Sequence, residues 1–233
     1  MPTQYLPCVL ALLLGALAMA TSWAEEKKPD WIAREKIRAG WIYHGDGKDK
    51  LHFFKKHGLN ALITHAGKPE VFDEWAKEAR RAGMHLIGVL GFSFDAEKAG
   101  MRRCVFGNGY ESVVACPTDE RFWQERMIEP TVKLAREGMS AEKEISGILI
   151  DFELYANSEK GGQIYYTDAC YCDACFGGFL KHKNLGDAAR PPLGERKKWL
   201  KDKGVDAEYH PFLQKQVRAL AAKMREAVEA VRK

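Results

Sequence analysis

Three times along the chain an amphipathic, charge-rich stretch ends in glycine, continues with one large apolar residue, and gives way to a run of aliphatic and β-branched residues. The junctions are His57-Gly58-Leu59, Ala82-Gly83-Met84 and Glu137-Gly138-Met139. This is the pattern of a helix stopped by a left-handed glycine just past its end, with the next apolar side chain folded back on the last turn, followed by a strand. The runs predict strands over 37–43, 61–64, 85–90 and 145–152. Each is almost continuously apolar, as expected of parallel strands covered on both faces. Between them, Val71, Phe72, Trp75 and Ala79 recur at helical spacing, and Trp123, Met127 and Leu134 do so around Pro130. Thr118 is the expected cap of that second helix, with Asp119 and Glu120 in its first turn. Val217, Leu220, Ala221, Met224, Val228 and Val231 form a stripe on a last helix. Strand and helix alternating four times predict right-handed βα units in a parallel sheet.

Two α/β architectures accept this alternation: a partial (β/α)8 TIM barrel of about four βα units, or a small open parallel sheet. The turn after the first strand, His44-Gly45-Asp46-Gly47-Lys48, is not a Gly-x-Gly-x-x-Gly loop, so a dinucleotide crevice is unsupported. The polar residues fit a barrel better. Trp41, Tyr43 and His44 end strand one, His65 strand two, Phe92 and Ser93 strand three, and Asp151, Glu153 and Tyr155 strand four. Carboxyl ends are where barrel enzymes keep their sites. A full barrel needs eight strands, so residues 25–233 read as the N-terminal half of one, either a truncated product or a half that finds a partner.

The first 24 residues read as an export signal. Val9 to Ala20 is uncharged, apolar and too short to span a bilayer, and Ser22-Trp23-Ala24 supplies small residues at −3 and −1. Met1-Pro-Thr-Gln-Tyr lacks Lys and Arg, which leaves an uncleaved anchor as the alternative. Cleavage predicts a periplasmic or secreted chain with no stable membrane association. With 36 basic against 32 acidic residues and a net charge of +4, there is no electrostatic footprint for nucleic acid. The exported part has five cysteines, Cys104, Cys116, Cys170, Cys172 and Cys175, an odd number that disulfides cannot fully consume.

Asp151 and Glu153 are two apart on the fourth strand, hence on one face and close together at its mouth. Neighbouring carboxylates favour protonation of one of them, which suits a general acid, although a solvated structural pair reads the same by spacing. An apolar strand running straight into two acids favours function. Trp41, Tyr43, Phe92 and Tyr155 are either a stacking platform for a sugar ring or core residues. His44 and His65 either contact substrate or are hydrogen-bonded structural residues.

Gly147 to Glu153 resembles the strand-four signature of family 18 chitinases, in which Gly-Ile-Asp-Ile-Asp-Trp-Glu ends in the catalytic acid. The resemblance puts Glu153 in the acid's place and Asp151 in its assistant's. Leu149 and Ser146 replace the two earlier aspartates, so chitin is not implied. The wider stretch, with Ala115-Cys116-Pro117, Asp151-Phe-Glu-Leu-Tyr155 and Cys170-Tyr-Cys172-Asp-Ala-Cys175-Phe, looks more like uncharacterised bacterial glycoside-hydrolase-type barrels, from Ile37 to the end. The cysteine triplet is similar to that of family 42 β-galactosidases, where such cysteines and a fourth on an earlier loop hold a structural zinc. That likeness implies Cys170, Cys172 and Cys175 as ligands, with Cys116 or Cys104 as the fourth, riveting two loops where no core can. Disulfides, such as Cys104 with Cys116 and a pair within the triplet, are the rival in an exported protein, and a Cys172-x-x-Cys175 redox site is a third reading.

The expectation is an exported glycoside-hydrolase-like protein with Glu153 as general acid and Asp151 as assistant. Trp41, His44, His65, Phe92 and Tyr155 are its substrate contacts, and Cys116, Cys170, Cys172 and Cys175 its possible structural zinc ligands. No cofactor is required for the chemistry. A retaining or inverting mechanism needs a second carboxylate on a later strand, so only a substrate-assisted route runs on strand four alone. The alternatives are an inactive or truncated carbohydrate-binding fragment, or a zinc-stabilised interaction module. A homodimer or a complementing half-barrel is the expected protein partner.

Overall fold

The computed structural model describes residues 34–43, 45–91, 96–140, 144–151, 156–157, 163–164, 169–186 and 190–231. Residues Arg38–Lys233 form one compact unit, to which everything below belongs. The expected export signal, residues 1–24, lies outside the described residues.

In chain order the elements begin with β1 (Ala39–Ile42), α1 (Lys48–Lys56), β2 (Ala61–His65), α2 (Pro69–Arg81) and β3 (His85–Gly91). A hairpin, β4 (Arg103–Val105) and β5 (Glu111–Ala115), leads into α3, residues 120–137, which carries a π-helical stretch at Trp123–Ile128. Then come β6 (Gly147–Asp151), the short pair β7 (Ala156–Asn157) and β8 (Gln163–Ile164), and α4 (Asp173–His182). The last two helices are α5 (Arg196–Asp202) and α6 (Asp206–Val231). No helix among the described residues is long and apolar enough to cross a membrane.

The four strands expected from the apolar runs form one parallel sheet in the order β1-β2-β3-β6. The architecture is thus mixed α/β around a four-stranded parallel sheet. Gly58 and Gly83 end α1 and α2 in the left-handed region, at φ +75° and +61°. Leu59 and Met84 N–H donate back to Phe54 and Ala79 carbonyls, closing each helix as its sequence predicts. Gly138 differs. Its φ is −73°, and a Cβ there would lie 2.7 Å from the Ile145 side chain, so close approach and not handedness calls for glycine.

The two sheet faces are unequal. Ile42, Leu62, Leu86 and Ile148 pack against Phe72, Trp75, Ala76 and Ala79 of α2 and Leu134 of α3, while Leu90 and Ile150 join Trp123, Met127 and Leu220. The opposite face carries Trp41, Ile63, Ile87, Val89 and Leu149, none of which belongs to an apolar cluster of the described residues. Leu149 is 38% exposed. Val89 and Ala61 on this face are nonetheless buried, at 1% and 0% exposure, so the sheet is buried on both faces at its centre, as the continuous apolar runs predict, while the described helices α2 and α3 pack on one.

The second body of packing was not legible as structure. The β4–β5 hairpin and α4 to α6 surround a cluster that includes Phe106, Tyr171, Phe176, Phe179, Leu200, Tyr209 and Leu213. Tyr171 stacks on Tyr209 with centroids 5.0 Å apart, and Phe179 meets Tyr209 edge-on at 5.1 Å. All five cysteines of the unit are in this cluster, so they sit inside a core rather than replacing one.

Candidate functional site

The hairpin carries Cys104 on β4 and delivers Cys116 just past β5. The segment before α4 supplies Cys170 and Cys172, and Cys175 lies in the first turn of that helix, for which Cys172 is the N-cap residue. The four sulfurs of Cys116, Cys170, Cys172 and Cys175 lie within 4.8 Å of one another and are buried. Cys116 Sγ is 3.4 Å from Cys175 Sγ and 3.7 Å from Cys172 Sγ. A tetrahedron with metal–sulfur bonds of about 2.3 Å has sulfur–sulfur edges of about 3.8 Å, whereas a disulfide needs about 2.05 Å. All five described cysteines are free thiols. The set can therefore hold a metal ion, and of the two candidates for fourth ligand the structure brings in Cys116. Cys104 lies outside the set.

Donors surround the sulfurs. Val105 and Cys172 N–H donate to Cys170 Sγ at 3.3 and 3.5 Å. Thr118 Oγ1 lies 3.3 Å from Cys116 Sγ and 3.1 Å from Cys175 Sγ. Thr118 therefore does not cap α3; Asp119 does, accepting from Arg121 and Phe122 N–H. Asp119 Oδ2 also accepts from Arg102 N–H, and the Arg102 guanidinium donates to Thr118 O, both at 2.7 Å. Burial works against the charge on Arg102, but the fields of Cys116 and Asp119, then Cys172 and Cys175, outweigh it and raise its pKa.

As free thiols the four do not share charge evenly. Hydrogen bonds from Cys116, Cys170 and Cys175 lower the Cys172 pKa. Bonding with Cys170 raises Cys116, bonding with Cys116 raises Cys175, and bonding with Cys104 raises Cys170. Burial pushes Cys104 up, its bond with Cys170 pulling the other way.

The second set of candidates lies on the sheet face opposite α2 and α3. Trp41 and His65 meet edge-on at 5.6 Å between ring centroids, and Tyr43 lies 6.1 Å from Trp41 and 6.3 Å from His65. Tyr43 is 57% exposed. Its N–H donates to Asp46 Oδ2 at 2.7 Å, and Lys50 Nζ reaches the same oxygen at 2.6 Å, which holds the loop after β1. The Lys50 bond, then the Tyr43 bond, lowers the Asp46 pKa. The Trp41 Nε1 hydrogen is buried with no acceptor among the described residues. Asp151 ends β6 in register with Gly91, on the face shared by Trp41 and His65. His44, Phe92, Glu153 and Tyr155 lie outside the described residues.

No protein-family model and no curated protein matches this chain.

Four residues central to the cysteine site escaped sequence reasoning: Thr118 in its actual role, Arg102, Arg196 and Tyr209. Buried Arg196 donates to Tyr171 O at 2.6 Å, pairs with Asp173 and lies over the Phe176 ring, clamping the segment that bears Cys172. Tyr209 OH donates to Cys170 O at 2.6 Å, and burial, then the charges of Cys175, Cys170 and Cys172, raises its pKa. Thr118 had a readable signal, since it lies two residues after Cys116. Arg196 and Tyr209 had none, as no local spacing joins them to the triplet.

Proposed function

We propose that this chain is an exported, glycoside-hydrolase-like partial (β/α)8 barrel that binds and hydrolyses glycosidic substrates at the carboxyl edge of its sheet, with a structural zinc at the four cysteines. The observation that carries the reading is the sheet order. Strands in the order β1-β2-β3-β6 without reversal support barrel winding over a doubly wound sheet, which reverses at a switch point, and a small open parallel sheet shares that order. The face opposite α2 and α3 then corresponds to a barrel interior, and Trp41, His65 and Asp151 share it near the edge where barrel enzymes act. Trp41 and the exposed Tyr43 offer ring faces to a sugar.

On this reading Glu153 protonates the glycosidic oxygen and Asp151 positions a substrate group, in a substrate-assisted reaction. His44, Phe92 and Tyr155 complete the sugar contacts. Zinc, chosen for the all-thiolate set with near-tetrahedral edges, supplies cohesion and no chemistry, because a closed four-sulfur site leaves no position for substrate. The partner is carbohydrate, with a second copy or a complementing half-barrel as the protein that closes the sheet.

The test is binding and hydrolysis over a panel of oligosaccharides, with Glu153→Gln and Trp41→Ala. Glu153→Gln is expected to lower hydrolysis by about 10²–10⁴-fold with binding retained, and Trp41→Ala to weaken binding by about 1 kcal/mol. A folded wild-type chain that neither binds nor cleaves any glycan contradicts the reading.

A further inference from the structure

A cavity of about 470 Å3 opens beside the cysteine centre, lined among others by Arg102, Arg103, Asp173, Ala174, Leu193 and Cys172. It holds many times the share of about 30 Å3 that one water occupies in the liquid. Of the four clustered cysteines, Cys172 is the one that lines it. Cys172 is also the most exposed of them, at 8%, against 0% for Cys116 and Cys170 and 2% for Cys175. The Cys116 sulfur stands 3.7 Å behind it. Two guanidiniums and the carboxylates of Glu97, Glu111 and Asp173 line the wall, and Arg103 is paired with Glu97 and Glu111, so the cavity suits a small uncharged reactant better than an ion.

We propose that Cys172 is a modification site: a small hydroperoxide enters this cavity, oxidises Cys172, and the resulting Cys116–Cys172 disulfide releases the metal. This rests on the metal centre proposed above. In the first step the thiolate electron pair of Cys172 attacks a peroxide oxygen. An S–O bond forms, the O–O bond breaks, and hydroxide leaves, giving a sulfenic acid. The Cys116 thiolate then attacks that sulfur, an S–S bond forms, and a second hydroxide leaves. Two thiolates lose two electrons in all and the peroxide gains them. Cys170 and Cys175 are left as a two-ligand set that no longer closes a tetrahedron.

The test uses the full chain with its zinc, treated with hydrogen peroxide, while zinc release is followed with a chromogenic chelator and disulfides are mapped by mass spectrometry. The expected result is Cys116–Cys172 as the first disulfide, about one zinc released per disulfide, and recovery with thiol reductant and zinc. Ala174→Trp, at an exposed position on the cavity wall, is expected to slow the reaction roughly fivefold or more with zinc content unchanged. A first disulfide that leaves out Cys172, or an unchanged rate in a zinc-loaded Ala174→Trp chain, overturns the proposal. A reduced chain that never takes up zinc defeats the metal reading instead. The choice of thiol is then decided by limiting maleimide on that chain: Cys172 labelled first upholds it as the exposed thiol, and any other first refutes it.

Discussion

The parallel sheet and the cysteine centre are held together by different physics. In the sheet, cohesion is spread over many side chains: Ile42, Leu62 and Leu86 each lose most of their surface against α2 and α3, and no single one organises the others. In the centre, four sulfurs converge from two segments more than fifty residues apart in the chain, and the hydroxyl of Thr118 and the carbonyl contacts of Arg196 and Tyr209 are arranged around them. The first kind of structure weakens in proportion to what is removed. With the proposed metal bound, the second gains an all-or-none element on top of its apolar core, because four buried thiolates stripped of a cation repel one another.

The sharpest break of this contrast is to take the proposed metal away. Cys175→Ser, or a strong chelator acting on the wild-type chain, is expected to cost more than any single truncation in the sheet, for which about 5 kcal/mol is the ceiling. Thermal melts of both, with hydrogen exchange to locate the damage, check this; loss of protection is expected in the hairpin and α4 before β1 and β2. Leu62→Ala comes next. It removes a fully buried side chain under α2 and is expected to cost about 2–5 kcal/mol while zinc content stays as in the wild type. A Leu62→Ala chain that loses its zinc would show that the two regions are one cooperative unit.

Thr118→Val sharpens the comparison from the other side. It keeps the volume but removes the hydroxyl from Cys116 and Cys175, and is expected to weaken metal binding about 10–100-fold in chelator competition, with Thr118→Ser restoring it. Acid should separate the regions too. Metal binding displaces thiol protons, so affinity rises with pH and is lost as pH falls. Zinc release on stepwise acidification, read beside far-UV dichroism, should therefore precede loss of the sheet. The smallest effect belongs to Lys48→Ala. Lys48 bonds to Glu78 and then Glu74, which raises its pKa, but it is solvent-exposed, and its removal should leave the melt unchanged.

The same contrast explains what the sequence made legible. Strand and helix periodicity is local, so the four strands and the helices around Trp75 and Trp123 could be read from spacing, and the glycine junctions at Gly58 and Gly83 marked helix ends. Gly138 shows the limit, because its need for glycine comes from Ile145, seven residues on. The Cys-x-Cys-x-x-Cys triplet announced three members of the centre, but nothing local chose between Cys104 and Cys116, which differ by which side of the hairpin they leave. Which sheet face α2 and α3 pack on was invisible for the same reason. An apolar run tells that a strand is buried, not by what, and Ile63 and Leu149 read like Leu62 and Ile148.

The measurement that bears most directly on the centre is a joint count of zinc and free thiols on the full chain, by elemental mass spectrometry and by alkylation before and after chelation. About one zinc per chain is expected, with Cys116, Cys170, Cys172 and Cys175 protected together until the metal is removed. A metal-free chain in which those cysteines are joined in disulfides would contradict it.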